Sequence, residues 1–174
     1  DMNSTKREML MQKLPAAADI LALVPVSGEK DRNATVIHTI TGACLTLSAT
    51  TEYVLSCLAE REDKELRLIR QNASRRLARR RNIILPILHG CVLAPVVVRR
   101  IPKRHGRLGY INIAYKPLLA GSGNTTDLAL RSGTVIRALW QLPTVQRLVC
   151  EGHAVHYKLL LDVQQQLRRA EEFA

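Results

Sequence analysis

From Leu66 to Thr126 the chain holds no Asp or Glu, yet it carries Arg67, Arg70, Arg75, Arg76, Arg79, Arg80, Arg81, Arg99, Arg100, Arg104 and Arg107, together with Lys103 and Lys116. Guanidinium groups keep their charge at any accessible pH and grip phosphate oxygens through paired N–H bonds. That chemistry neutralises a polyanion; it does not break bonds. An ordinary solvated surface mixes both signs of charge. A compositional bias toward Arg would add cations without removing every acid from so long a stretch. The net charge of +11 is distributed unevenly along the 174 residues: positions 1–65 hold ten acids and seven bases, 66–150 one acid (Asp127) and sixteen bases, and 151–174 four acids and three bases. A concentrated cationic block of this kind is the footprint of nucleic-acid binding.

Other chemistries find less support. Cys150, His153 and His156 have a spacing that could seed a metal site, but three candidate ligands are not a complete set, and helix or loop residues without metal are the expectation. There is no P-loop, no GxSxG, no HExxH and no acidic pair in an apolar setting. Residues 66–126 offer no carboxylate to hold Mg²⁺, which argues against a nuclease there. His89, Cys91 and His105 lie near one another in sequence without implying a triad. The expectation is a binding protein, not an enzyme, with no cofactor.

Aromatic residues are scarce: Tyr53, Tyr110, Tyr115, Tyr157, Trp140 and Phe173 are the full set. Single-strand and RNA modules stack bases on aromatic platforms, so duplex DNA, held through phosphates and grooves, fits better. An RNA- or ribosome-associated protein and a module that meets an acidic protein partner stay open as alternatives. Gln71 and Asn72 could read adenine edges if the 67–81 segment entered a major groove, although ordinary helix-surface roles account for them as well. No apolar run is long enough to span a bilayer, and the N-terminus has no apolar signal segment. A cytoplasmic protein without a membrane partner is expected, with reduced cysteines. Asp1 reads as an addition ahead of a native Met2.

These residues need elements to position them. Positions 1–19 read as a polar, partly helical lead-in ending near Pro15. Ile20 to Val26, Ala34 to Ile40 and Ala43 to Leu47 read as a three-stranded antiparallel meander, with turn-rich residues 27–31 and Gly42 between the strands. Ser48 or Thr50 can cap a helix with Glu52 in its first turn. The helical pattern over about 50–81 is long enough to predict a break near 62–65, which leaves Arg67, Arg75 and Arg79 facing away from an apolar stripe of Leu66, Ile69, Ala73 and Leu77. Residues 82–88 and 91–98 read as a hairpin about Gly90, with Pro86 and Pro95 at edges or bulges. The basic loop 99–107 leads into a strand from Leu108 to Ala114. A small-residue loop spans Ala120 to Thr126, and a last hairpin turns at Ser132 and Gly133. A helix capped by Thr144 and broken at Gly152 completes the chain, and its apolar face, through Leu148, Val155, Leu159, Val163 and Leu167, could pair. The fold class is α+β: an antiparallel sheet or small barrel with a basic helical insertion and a C-terminal helix. Residues 20–150 form the DNA-binding part and 151–174 a possible oligomerisation helix.

The order of these pieces resembles the ComK-type competence transcription factors. Residues 21–25 (Leu-Ala-Leu-Val-Pro), a turn and residues 34–39 (Ala-Thr-Val-Ile-His-Thr) are similar to that family's opening hairpin. Leu85, Pro86 and Ile87 resemble its Pro-Ile step. Residues 92–95 (Val-Leu-Ala-Pro) and then Gly109, Tyr110 and Ile111 resemble its Phe-Pro-Thr and Cys-Trp-Ile elements, and Ser132, Gly133 and Thr134 its Asn-Gly turn. The likeness spans about residues 20–150 and lies in order and spacing more than identity. Ala94 stands for the aromatic, Val96 for the Thr and Tyr110 for the Trp, and residues 72–76 lie where the family has a Gly-rich segment ending in Gly-Arg. The resemblance implies an activator of DNA-uptake genes that binds paired A·T-rich boxes through the minor groove as a dimer or tetramer, under control of an adaptor and a protease.

Overall fold

The computed structural model describes residues 2–100 and 106–174. Their elements, in chain order, are α1 (Met2–Lys13), β1 (Ile20–Ser27), β2 (Asn33–Thr39), β3 (Cys44–Leu47), α2 (Thr51–Arg61), α3 (Leu66–Leu77), β4 (Leu85–Leu88), β5 (Cys91–Val97), β6 (Leu108–Asn112), β7 (Leu118–Ser122), β8 (Thr125–Ala129), β9 (Val135–Ala138) and α4 (Leu142–Glu172). Six strands form an antiparallel sheet in the order β3-β2-β1-β6-β5-β4, and β7-β8-β9 form a second sheet. The larger sheet has two free edges, so the open sheet, not the barrel, is the architecture of this α+β chain.

Alternation along the strands separates two cores, because successive side chains of a strand point to opposite faces. Leu23, Ile37, Leu85, Ile87, Leu93 and Tyr110 enter one core with Leu55 and Leu58 of α2 and Leu10 of α1. Ala22, Val92, Ala94, Val96 and Ile111 enter the other with Leu128 and Ile136 of the small sheet and Val145, Leu148 and Val149 of α4. The large sheet is therefore covered on both faces, by helices on one and by the small sheet and α4 on the other. α3 lies along its β4 edge, contributing Leu66 and Ile69 to the first core and Leu77 to the second.

One buried amide ties the sheet together. Asn112 Nδ2 donates to the Ile20 carbonyl (2.7 Å) and the Gly90 carbonyl (2.9 Å), and its Oδ1 accepts from the amides of Val92 (3.2 Å) and Ala114 (3.1 Å). All its polar capacity is used inside the fold, which is what makes a buried amide tolerable.

The meander, the split of the 50–81 pattern into α2 and α3, and the hairpin about Gly90 stand where expected. Thr50 caps α2, accepting from the Tyr53 amide at 3.2 Å. Pro86 lies on the edge strand, and Pro95 sits beyond the end of β4, opposite Tyr110 of β6. Three local readings are corrected. Residues 120–126 are not a loop: β7 and β8 pair from Leu118 with Ala129 to Ser122 with Thr125. Thr144 is not the cap of α4, which begins at Leu142 after Gln141. Nor does Gly152 break α4, and the helix runs on unbroken through residues 150 and 151. A Cβ at Gly152 would stand 2.9 Å from Ile113 Cγ1, so the glycine permits a close approach of α4 to the turn that follows β6, which offsets its poor helix propensity, about 1 kcal/mol relative to Ala.

Candidate nucleic-acid interface

Register decides which basic residues meet. β4 starts, β5 ends and β6 starts at the same end of the large sheet: Leu85 pairs with Leu93, and Val97 with Leu108. β1 ends and β2 starts there too, with Ser27 opposite Asn33. Three connections therefore leave this end: the segment from α3 to β4 with Arg79, Arg80 and Arg81, the 99–107 loop from β5 to β6, and the β1–β2 turn with Lys30 and Arg32. The loop closes at its base through the Val98 amide on the Arg107 carbonyl (2.9 Å), and Arg99 Nη2 reaches Ser27 Oγ at 2.8 Å, linking it to the β1–β2 turn. Lys103 and Arg104 lie outside the described residues.

Within α3 the basic residues divide. Arg75 and Arg76 stand exposed in its last turn, where cations complement the helix dipole. Arg67 is exposed and pairs with Glu65 at 3.0 Å. Arg70 turns inward. Its guanidinium forks onto Glu52 of α2, with Nη2 2.8 Å from Oε2, and also donates to the Tyr110 hydroxyl at 3.3 Å. The Glu52 bond raises the Arg70 pKa above its ordinary value, against the lowering effect of burial, and burial pushes the Tyr110 phenol up. Arg79 does not point away from the apolar stripe as the helical pattern predicts. Ala78 ends the helix in a left-handed conformation (φ 48), and Arg79, beyond it, pairs with Glu151 of α4 at 2.6 Å. Arg80, Arg81, Arg100 and Arg107 are exposed or nearly so, and no ion pair involves them among the described residues.

Lys116 is not part of this end. It follows β6, near His89 of the β4–β5 turn and His156 of α4, at the opposite end of the sheet. Gln71 and Asn72 are exposed on α3, one turn or more before Arg75 and Arg76. Sequence reasoning did not include Lys30 and Arg32, which lie in a mixed-charge stretch far from the Arg block. The signal for them was topological: a meander whose first turn falls beside the β5–β6 loop.

Cys150 is exposed, while His153 and His156 are half-buried with Nε2 atoms that have no hydrogen-bond partner. His156 stacks on His89 with ring centroids 5.2 Å apart and planes at 16°. Among the described residues no group of three or more His, Cys, Asp or Glu is arranged to hold a metal ion, and no helix is long and apolar enough to cross a membrane. The four cysteines are free, with Cys57 and Cys91 buried. No protein-family model, curated protein or solved structure matches this chain.

Proposed function

We propose that this protein binds double-stranded DNA and regulates transcription, docking the cationic end of its large sheet on the phosphate backbone. The observation that carries this reading is the gathering of Arg80, Arg81, Arg99, Arg100, Arg107, Lys30 and Arg32 on three connections at one sheet end, with Arg75 and Arg76 on the last turn of the adjoining helix. A rigid sheet presenting short basic loops suits phosphate contact and insertion of Arg into a narrow minor groove. Lys103 and Arg104 belong to the same loop by sequence. Arg67, Arg70 and Arg79 are assigned to holding α3 in place.

The aromatic residues favour duplex over single strands. Tyr110 is buried beneath Arg70. Trp140, brought near the cationic end by the Leu139 amide on the Val97 carbonyl, is half-buried against the second core. The exposed aromatics, Tyr157 on α4 and Phe173 just past its end, are elsewhere. Among the described residues this end therefore offers no fully exposed aromatic ring on which bases could stack. By the ComK-type resemblance, the regulator is a cytoplasmic activator of competence genes that acts at A·T-rich sites as an oligomer under adaptor and protease control. Its role is binding without catalysis and without a cofactor.

The test is fluorescence anisotropy with a labelled A·T-rich duplex across a salt series, with structured RNA and an acidic polypeptide as competitors. Each neutralised phosphate contributes a slope of about −0.9 to log K against log salt. A steep slope and duplex preference support the proposal. A flat response, or displacement by RNA at lower concentration than duplex, sets it aside.

A further inference from the structure

Among the described residues, none buries the second half of α4. Every residue from 161 to 174 is exposed, including Leu161 (37%), Val163 (38%), Leu167 (60%) and Phe173 (90%). A free-standing helix of this length is marginal in water, and helices in proteins persist mainly by burying an apolar face. Leu160, Val163, Leu167 and Ala170 repeat at intervals of three, four and three, the spacing of a coiled-coil seam. The seam begins one turn beyond His156, itself stacked on His89 of its own chain.

Where α4 crosses α3 there is a second unfilled feature. An apolar groove of about 270 Å³ is walled by Ile84, Pro86, Val155 and Leu159, with Arg76 and Lys158 at its rim and Glu151, whose charge Arg79 already pairs, also lining it. It falls below the usual size of a small-molecule pocket, about 300–1,000 Å³, and is of the order needed by one large side chain. The end of α4 offers such a side chain with matching charge: Phe173 directly follows Glu171 and Glu172.

We propose that two copies of this chain associate through α4 as an antiparallel pair centred near Gln165, each seating Phe173 against the α3–α4 groove of the other. In that register Leu160 faces Ala170 of the second copy and Val163 faces Leu167. Phe173 of the second copy comes opposite Tyr157, two positions from the groove residue Leu159, Gln164 meets Gln166 of the second copy, and Gln165 meets its own equivalent. The acidic pair then arrives at the basic rim, and no like charges oppose one another across the seam. The contact is isologous and closes on itself. A parallel pairing would bury the same seam but would leave the groove empty and the acidic pair away from its rim.

The association is measured on the full chain without nucleic acid, so its failure and that of the DNA reading are separable. Sedimentation equilibrium at tens of micromolar should give a dimer. Leu167→Glu, at an exposed site, should halve the mass with the near-ultraviolet signal of Trp140 retained. Phe173→Ala should weaken dimerisation about a hundredfold, from two lost aromatic anchors. A spin label at Arg147→Cys, in a Cys44→Ser, Cys150→Ser background, should report a separation of about 50 Å for the antiparallel pair, from 1.5 Å of rise per residue. A monomer at this concentration, a dimer indifferent to Leu167→Glu, or a label distance under about 30 Å would each overturn the proposal.

Discussion

Arg79, one residue beyond the left-handed end of α3, places Nη2 2.6 Å from both carboxylate oxygens of Glu151 on α4, across 72 residues of sequence. The pair pins the helix that carries Arg75 and Arg76 to the helix that closes the opposite core. It also removes one cation from the block that would otherwise meet a polyanion.

Glu151→Gln therefore has two opposed effects. Both partners are about three-quarters buried, so loss of the carboxylate leaves a desolvated guanidinium and should cost about 1–2 kcal/mol in a urea titration. The same change releases Arg79 toward solvent at the cationic end. Duplex binding should become tighter, with a salt slope steeper by up to about 0.9. Equal slopes in the two proteins would show that Arg79 cannot reach phosphate.

The Arg block is not one functional unit, and substitution separates its members. Arg80→Gln and Arg81→Gln should each flatten the salt slope by about 0.9 and leave the urea midpoint unchanged. Arg70→Gln should do the reverse, because Arg70 already serves Glu52 and Tyr110. Loss of those bonds should cost about 1 kcal/mol, with the slope retained. An Arg70 variant that loses affinity in proportion to Arg80→Gln would place Arg70 in the interface after all.

Much of the fold was legible because its strands alternate and its turns carry Gly, Ser or Asn. Gly42, Gly90 and Gly133 all sit at positive φ between paired strands. The β7–β8 hairpin escaped notice because β7 is mostly exposed and ends in Ala120, Gly121 and Ser122, which show no apolar alternation. The helix through Gly152 escaped because the compensating contact, Ile113, lies far away in sequence. The cationic block was legible as composition, but its neutralisation was not. Glu52 and Glu151 lie outside the acid-free stretch and return to Arg70 and Arg79 only through the packing of α2 and α4.

Asn112 supplies a third test, of the fold itself. Asn112→Leu keeps the volume but strands two carbonyls and two amides that now have partners within 3.2 Å. Leaving buried polar groups unsatisfied costs about 1–3 kcal/mol each, with partial relief from relaxation. A loss of about 3 kcal/mol or more in denaturant unfolding is expected, with an unchanged m-value. A loss under about 1 kcal/mol would mean that water enters to replace the amide.

The histidine stack makes stability depend on mildly acid pH. Burial lowers the His156 pKa from its ordinary value of 6.5, and the neighbouring His89, His153 and Lys116 lower it further. Burial lowers that of His38 as well. A depressed pKa means that the unfolded chain binds the proton more readily than the folded one. The stabilisation is then complete above pH 6.5 and is lost as pH falls through that value toward the lower folded-state pKa. The urea midpoint should accordingly fall between pH 7.5 and pH 5.5, above the range in which ordinary carboxylates titrate. His156→Gln keeps a polar side chain that does not titrate, and should flatten this dependence while His38 preserves a smaller part of it. Since His89 stacks on His156 at 5.2 Å, His89→Gln should remove one like-charge neighbour and raise the His156 pKa, which NMR titration of the imidazole C–H resonances would read directly. A midpoint in His156→Gln that falls as steeply as in the parent would assign the acid sensitivity elsewhere.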